Sequence, residues 1–255
     1  AGRGGVLAVV LGAWCLVKIE RWVRKWMPES LDIVFTPVIT MILCLVPYIL
    51  LIMPATGYVS TALCWVVEKL CMSDILIVRI LAGYISTALF LPMVAMGMHH
   101  GLVALYSVQL ETFGYVTLYP ALAMAGAGQV GAAFAIYLKA KKCGNTRLKN
   151  VITGALPAGL LGIGEPLIYG VTLPMGKPFI SAGLGAGFGG AFVMAMQVAA
   201  TAWGPSGLLA LFVMTAGPHG VAASVGCYAV GLVICYIMGF IVTNAMVSVE
   251  DVANA

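Results

Sequence analysis

Glu165 stands between Gly164 and Pro166 in a stretch made otherwise of apolar and small residues. A carboxylate in such surroundings needs hydrogen-bond donors, and a polyhydroxyl ligand supplies them. Gly164 beside it leaves the backbone open to close approach by a ligand. The competing reading of Glu165 is a structural acid that accepts from free backbone amides. His99 and His100, two of the three histidines in the chain, follow Met98 at the end of an apolar run and precede Gly101. Imidazole both donates to and accepts from hydroxyls near neutral pH, although a single histidine in such a place is more often structural. No third ligand has suitable local spacing for a metal, and no cofactor is expected. Glu111, between Gln109 and Thr112, reads equally as an exposed charge or a site residue. Tyr106, Tyr169 and Trp203 offer ring faces for stacking on a sugar, or serve as membrane-interface anchors.

Three tempting patterns carry no chemistry. Gly126-Ala-Gly128-Gln-Val-Gly131 and Gly185-Ala-Gly187-Phe-Gly-Gly190 match the dinucleotide fingerprint in letters alone. Neither follows a strand or precedes an acidic residue at the required distance. Small residues every third or fourth position instead allow close helix packing. Cys143-Gly-Asn-Thr-Arg147-Leu has the look of a phosphocysteine loop, yet it lies in a short basic loop between membrane segments. There is no surrounding domain there to lower a thiol pKa. The seven cysteines form no C-x-x-C pair and fall mostly in apolar runs, as small packing residues do.

The elements that hold these residues must lie in a membrane. Hydrophobic residues make up 62% of the 255, charged residues 9%, and the mean hydropathy is +1.06. Soluble proteins carry about 25% charged residues, so this chain has too few to cover a water-facing surface. No Asp, Glu, Lys or Arg occurs between Asp32 and Glu68. Only Glu111 interrupts Arg79 to Lys139, and only Glu165 and Lys177 interrupt Lys149 to Glu250. The basic residues gather at 18–25 and 139–149, beside long apolar runs, which places both clusters in the cytoplasm by the positive-inside rule. The net charge of +4 therefore reflects orientation and does not point to nucleic acid.

Residues 6–17, which follow Arg3, read as the end of a membrane helix; the basic and tryptophan-rich sequence after them is not a signal-peptide cleavage site. Ile19, Trp22, Val23 and Trp26 recur at helical spacing among charges, the pattern of an amphipathic helix at the headgroups, closed by Pro28. Residues 33–53 predict a span punctuated by Pro37, Pro47 and Pro54, and 58–71 a separate short amphipathic stretch. Further spans are expected at 75–98 and 115–138, with a basic loop at 139–150. The five Gly and Pro residues within 156–166 rule out one clean helix from 151 to 178. Broken backbone at membrane depth survives where protein or a water-filled cavity satisfies it, and such segments form substrate sites in transporters. A span at 179–202, a Gly/Pro-bounded short segment at 204–219 and a last span at 221–246 complete an all-α polytopic bundle with re-entrant segments. Residues 1–247 read as the membrane domain and 248–255 as a polar tail or linker.

Gly162-Ile-Gly-Glu165-Pro166-Leu-Ile-Tyr169-Gly-Val-Thr-Leu-Pro174-Met-Gly-Lys177-Pro178-Phe resembles the G-I-T-E-P-x-I-Y-G-x-x-L-P segment of enzyme IIC. Enzyme IIC is the membrane subunit of the bacterial sugar phosphotransferase system, and the likeness is to its glucose and β-glucoside superfamily. Met98-His99-His100-Gly101, Pro28 to Pro37, Gly204-Pro-Ser-Gly207 and the closing apolar helix extend the resemblance over nearly the whole chain. It implies that Glu165 binds sugar and His99 contacts it, with His100, Gly164, Pro166, Tyr169 and Glu111 as the further candidates. Gly164 stands where the family commonly has Thr. The variant looks most like the N-acetylmuramic acid branch, with β-glucoside, sucrose and trehalose carriers close behind.

The resemblance implies a homodimer in the lipid of a bacterial inner membrane. Each subunit would bind sugar from outside and present it to a phosphorylated IIB partner for phosphorylation on the cytoplasmic side, with the basic loop helping to dock that partner. The first membrane helices of a complete enzyme IIC are expected to be missing, and no phosphocysteine or phosphohistidine domain is read in the chain. Two competing readings are an ion-coupled secondary transporter with Glu165 as proton carrier and a structural membrane subunit with no ligand.

Overall fold

The computed structural model describes residues 5–255, with side chains from Ala8 onward; Arg3 and the first residues of the expected domain lie outside them. Twelve α-helices, two π turns and one 3-10 segment make up the described residues, with no strand among them. The helices are α1 (Gly5–Val23), α2 (Glu29–Pro47), α3 (Met53–Cys71), α4 (Leu76–Ala95), α5 (His100–Phe113), α6 (Tyr119–Cys143), α7 (Thr146–Leu161), α8 (Glu165–Leu167), α9 (Leu173–Met175), α10 (Lys177–Ala195), α11 (Val221–Met246) and α12 (Val249–Ala253). Among the described residues five helical runs are long and apolar enough to cross a membrane: Glu29–Cys71, α4, α6, α10 and α11. Contacts divide the chain into one unit of residues 5–66 with 100–108 and a second of 67–99 with 109–255.

In the first unit, the amphipathic stretch continues the apolar helix before it as the last turns of α1. Trp22 and Trp26 stay exposed and meet edge to face at 5.8 Å. Pro28 separates α1 from α2, where Arg24 bridges Glu20 at 2.7 Å and Asp32 at 3.1 Å. The expected division between 33–53 and 58–71 is corrected. Glu29–Cys71 is one helical run of 43 residues, about 64 Å long and twice the hydrocarbon thickness. Pro47 and Pro54 are absorbed by a π turn at Tyr48–Ile52, where the Met53 N–H reaches back five residues to the Tyr48 carbonyl. The prolines remove helical donors, and the turn widens without breaking the chain.

The second unit packs α10 against α4, α6 and α11, and α6 against α11. The glycine-rich runs do the packing. A Cβ on Gly239 of α11 would stand 2.5 Å from the carbonyl oxygen of Gly128 on α6, and one on Gly185 of α10 would stand 2.5 Å from the Gly239 Cα. Buried hydroxyls cross the same contacts: Thr87 donates to the Ala121 carbonyl at 2.9 Å, and Ser181 pairs with Thr243 at 2.7 Å. Small residues and hydroxyl hydrogen bonds hold helices together where no water is expelled between them. The expected loop at 139–150 is also corrected. Helix α6 runs on to Cys143 and Asn145 caps α7, so Gly144 and Asn145 are the whole connection. Lys139 is buried and donates to the Asn244 carbonyl at 2.8 Å and to the Val247 carbonyl, capping the last turn of α11.

Candidate functional site

Helix α7 begins at the basic end, where the Asn145 side chain accepts from the Leu148 N–H at 3.0 Å. Its 16 residues rise about 24 Å to Gly162, whose φ of +103° turns the chain back. The return leg passes through α8, a π turn at Ile168–Thr172 and α9 to Gly176, and Lys177 then opens α10. Pro174 has no N–H to offer the turn before it, and there the Leu173 N–H reaches back five residues to Ile168. Lys177 and Arg147 line one cleft of 630 Å³ together with Tyr169 and Asp251. Both legs of the hairpin therefore end at the same, basic, end of the unit. Glu165 lies twelve residues up the return leg from Lys177.

The return leg has two faces. Glu165, Pro166, Tyr169 and Gly170 are exposed, while Leu167, Ile168, Val171 and Thr172 are buried. Leu167 and Val171 join the core of α6 and α7 around Val130, Ile152 and Ala155. Ile168 joins Leu91, Phe179 and Ala182, with Phe90, Val94 and Leu173 packed alongside. That second cluster brings the end of α4 against the return leg. His99 follows on the turn after α4, half-buried, with its ring edge to face on Phe90 at 6.2 Å.

A second hairpin enters from the far end of α10. Residues 196–220 turn at Gln197 (φ +51°), pair briefly at Val116–Ala200 and Ala199–Ala216, and carry the 3-10 segment Gly207–Val213. Its tip meets the tip of the first. Ser206 Oγ donates to the Gly162 carbonyl at 3.1 Å, and a Cβ on Gly207 (φ +60°) would stand 2.6 Å from the Leu160 carbonyl. The Tyr119 hydroxyl donates to the Pro205 carbonyl at 2.9 Å and accepts from the Gly204 N–H at 3.2 Å. Two broken segments that leave from opposite ends of α10 thus meet tip to tip, and transporters place polar solutes at such broken segments.

The structure brings Gly164, Glu165, Pro166 and Tyr169 together on one hairpin, and places the turn bearing His99 beside the element that packs on it. Among the described residues no side chain hydrogen-bonds or ion-pairs with Glu165. A Cβ on Gly164 would meet only Ile168 Cδ1, at 3.8 Å. His100 and Glu111 are exposed near the two ends of α5. Sequence reasoning missed Gln129 and Thr172, which are fully buried, with the Thr172 hydroxyl donating to Gln129 Oε1 at 2.7 Å. The available signal was an amide in the middle of a charge-free helix.

Residues 2–186 match the family model described as Phosphotransferase system, EIIC. The chain belongs to this family. It is 41% identical over 255 residues to the PTS system MurNAc-GlcNAc-specific EIIBC component of Staphylococcus epidermidis, covering all of this chain and 51% of that protein. It is 44% identical over 250 residues to the PTS system N-acetylmuramic acid-specific EIIBC component of Pasteurella multocida, covering 94% of this chain and 50% of that protein. The putative PTS system EIIBC component YbbF of Bacillus subtilis is 43% identical over 235 residues, covering 92% of this chain and 49% of that protein. The chain spans about half the length of the curated relatives it matches. No solved structure matches it. As an EIIC chain it is a multi-pass protein of the bacterial cell membrane, in accord with its membrane-length helices.

Proposed function

We propose that the chain is the sugar-translocating part of a phosphotransferase permease, which binds an N-acetylmuramic acid or β-glucoside type sugar. It presents that sugar to a phosphorylated IIB partner for coupled uptake and phosphorylation. The observation that carries the reading is Glu165, a carboxylate with no protein partner among the described residues, on the open face of a hairpin tip. A carboxylate within an apolar membrane domain, with no protein partner, is costly unless a ligand or water satisfies it. Sugar hydroxyls donate to both of its oxygens, Tyr169 supplies a ring face, and His99 supplies an imidazole from the neighbouring turn. Gly164 and Pro166 shape the backbone beside the carboxylate, and His100 and Glu111 are weaker contributors. The names of the Staphylococcus and Pasteurella relatives favour N-acetylmuramic acid over the other sugars.

The phosphoryl group comes from the partner. Residues 1–247 form the membrane domain, working as a homodimer in lipid, and α12 at 249–253 docks back on it. Lys139 is occupied in capping α11, so docking of IIB falls to the exposed Lys141, Lys142 and Arg147. Membrane vesicles containing the complete permease should phosphorylate N-acetylmuramic acid with phosphoenolpyruvate and the soluble phosphotransfer proteins, and do so in the presence of an uncoupler. Uptake that collapses with uncoupler and ignores phosphoenolpyruvate would instead make the chain an ion-coupled carrier. Charge reversal of Lys141, Lys142 and Arg147 should slow phosphorylation by raising the KM for IIB, an effect that weakens with salt. An unchanged KM removes these residues from the docking site.

A further inference from the structure

We infer that Gln129 is a positioning residue for the sugar-binding segment, fixing through Thr172 the register of the π turn that keeps Glu165 and Tyr169 on the open face. The inference rests on the proposed sugar-binding function. Gln129 sits on α6, Thr172 closes the π turn, and both are 0% exposed. Their 2.7 Å hydrogen bond joins the scaffold helix to the return leg of the hairpin. The Thr172 hydroxyl also lies 3.4 Å from the Leu167 carbonyl and 3.5 Å from that of Ile168, the residues the π turn displaces. Gln129 Nε2 has no acceptor among the described residues. If the amide is turned over, Nε2 donates to Thr172 and Oε1 becomes the unpartnered atom. Either way Gln129 keeps one bond and leaves one polar atom unused.

A buried amide with half its valence unused lowers stability relative to an apolar residue of the same length. Packing gives no reason for it, since Val130, Ala132 and Ala133 next to it are ordinary core residues. The register of the return leg does. A π turn holds one residue more than the α-helical path, and relaxing it to α geometry rotates what lies on one side of it by about 100° against the other. Residues 165–172 alternate two exposed and two buried, so such a rotation would carry Glu165 and Tyr169 out of the opening. The bond from Thr172 to Gln129 anchors the end of that turn.

The test uses the complete permease in lipid nanodiscs, with radiolabelled N-acetylmuramic acid as probe and thermal midpoints measured on the same samples. Gln129→Met removes the orphaned amide and leaves Thr172 able to bond within its own turn. Its midpoint should equal or exceed that of the wild type, while its Kd for the sugar weakens about tenfold. Thr172→Ser keeps the hydroxyl and should keep the wild-type Kd, and Thr172→Val should lose affinity as Gln129→Met does. A role in folding alone predicts the opposite pattern, with a lower midpoint for Gln129→Met and an unchanged Kd; either result overturns the inference. If the wild type binds and Glu165→Gln does not, an unchanged Kd in Gln129→Met overturns this inference alone. A wild type that binds no sugar overturns the function reading and this inference together.

Discussion

Three exposed residues of the return leg and the half-buried Gly164 before them each contribute differently. Glu165 brings charge, Tyr169 a ring, Pro166 a fixed φ at the start of a short helix, and Gly164 space. Gly164 has an ordinary φ of −81°, and a Cβ there meets nothing closer than 3.8 Å. The backbone therefore does not require glycine, and the residue leaves open space beside the carboxylate. Gly164→Thr should fold with a stability change within about 0.5 kcal/mol, as open positions do. It should also shift the ranking of sugars in a competition assay toward smaller ones. A large drop in thermal midpoint would mean that the site is tighter than the geometry indicates. At this scale the sequence was informative about Glu165 because charge is so scarce in the apolar runs. It was silent about Gln129, whose partner Thr172 is 43 residues away and is found only once the hairpin folds.

Among the elements, α12 turns a stretch read as a polar tail into a docked helix. Ser248 and Asp251 form a reciprocal cap, with the Ser248 N–H donating to Asp251 Oδ2 at 2.8 Å and the Asp251 N–H to Ser248 Oγ at 3.0 Å. The Lys177 ammonium donates to both Asp251 oxygens, at 2.7 and 3.0 Å, tying α12 to the start of α10. That bond, with those from Ser248, holds the Asp251 carboxyl down from 3.8 to about 2. Because the folded value is depressed, the contribution is fully present above 3.8 and is lost as pH falls toward 2. Hydrogen exchange of the amides at 249–253 should thus show steady protection from neutral pH to about 4 and lose it below. Asp251→Asn should show the weaker protection at neutral pH. Equal protection in wild type and variant would leave the anchoring to the buried Val252, whose carbonyl accepts from Asn145 Nδ2 at 3.0 Å.

Helix positions were legible from charge-free runs, since each span must fit the hydrocarbon thickness. Helix ends were not, for two physical reasons. Lys139 looked like loop charge but finds carbonyl acceptors at the end of α11, which allows α6 to continue past it. Pro47 and Pro54 looked like breaks, yet a π turn accommodates the lost donors within one helical run. The break in the Gly/Pro-rich stretch was foreseen, although Pro157 sits inside α7 and the chain turns only at Gly162. The contact of Ser206 with Gly162 had no local signal, because it joins two loops 44 residues apart.

In the molecule as a whole, most polar groups in the second unit's interior pair with each other across helices, as Ser181 does with Thr243 and Lys139 with the end of α11. Glu165 is a carboxylate with no protein partner among the described residues, near the meeting point of two hairpins that leave from opposite ends of α10. We propose that a polar solute is held there by its carboxylate. The direct measurement is the Kd of the complete permease for N-acetylmuramic acid and for a panel of β-glucosides, in the wild type and in Glu165→Gln, with thermal midpoints recorded alongside. The charge-assisted hydrogen bonds lost should weaken binding of one of these sugars by about ten- to a hundredfold, with the midpoint unchanged because no protein group depends on Glu165. Wild-type affinity in Glu165→Gln, in a protein that binds sugar, would contradict the central claim.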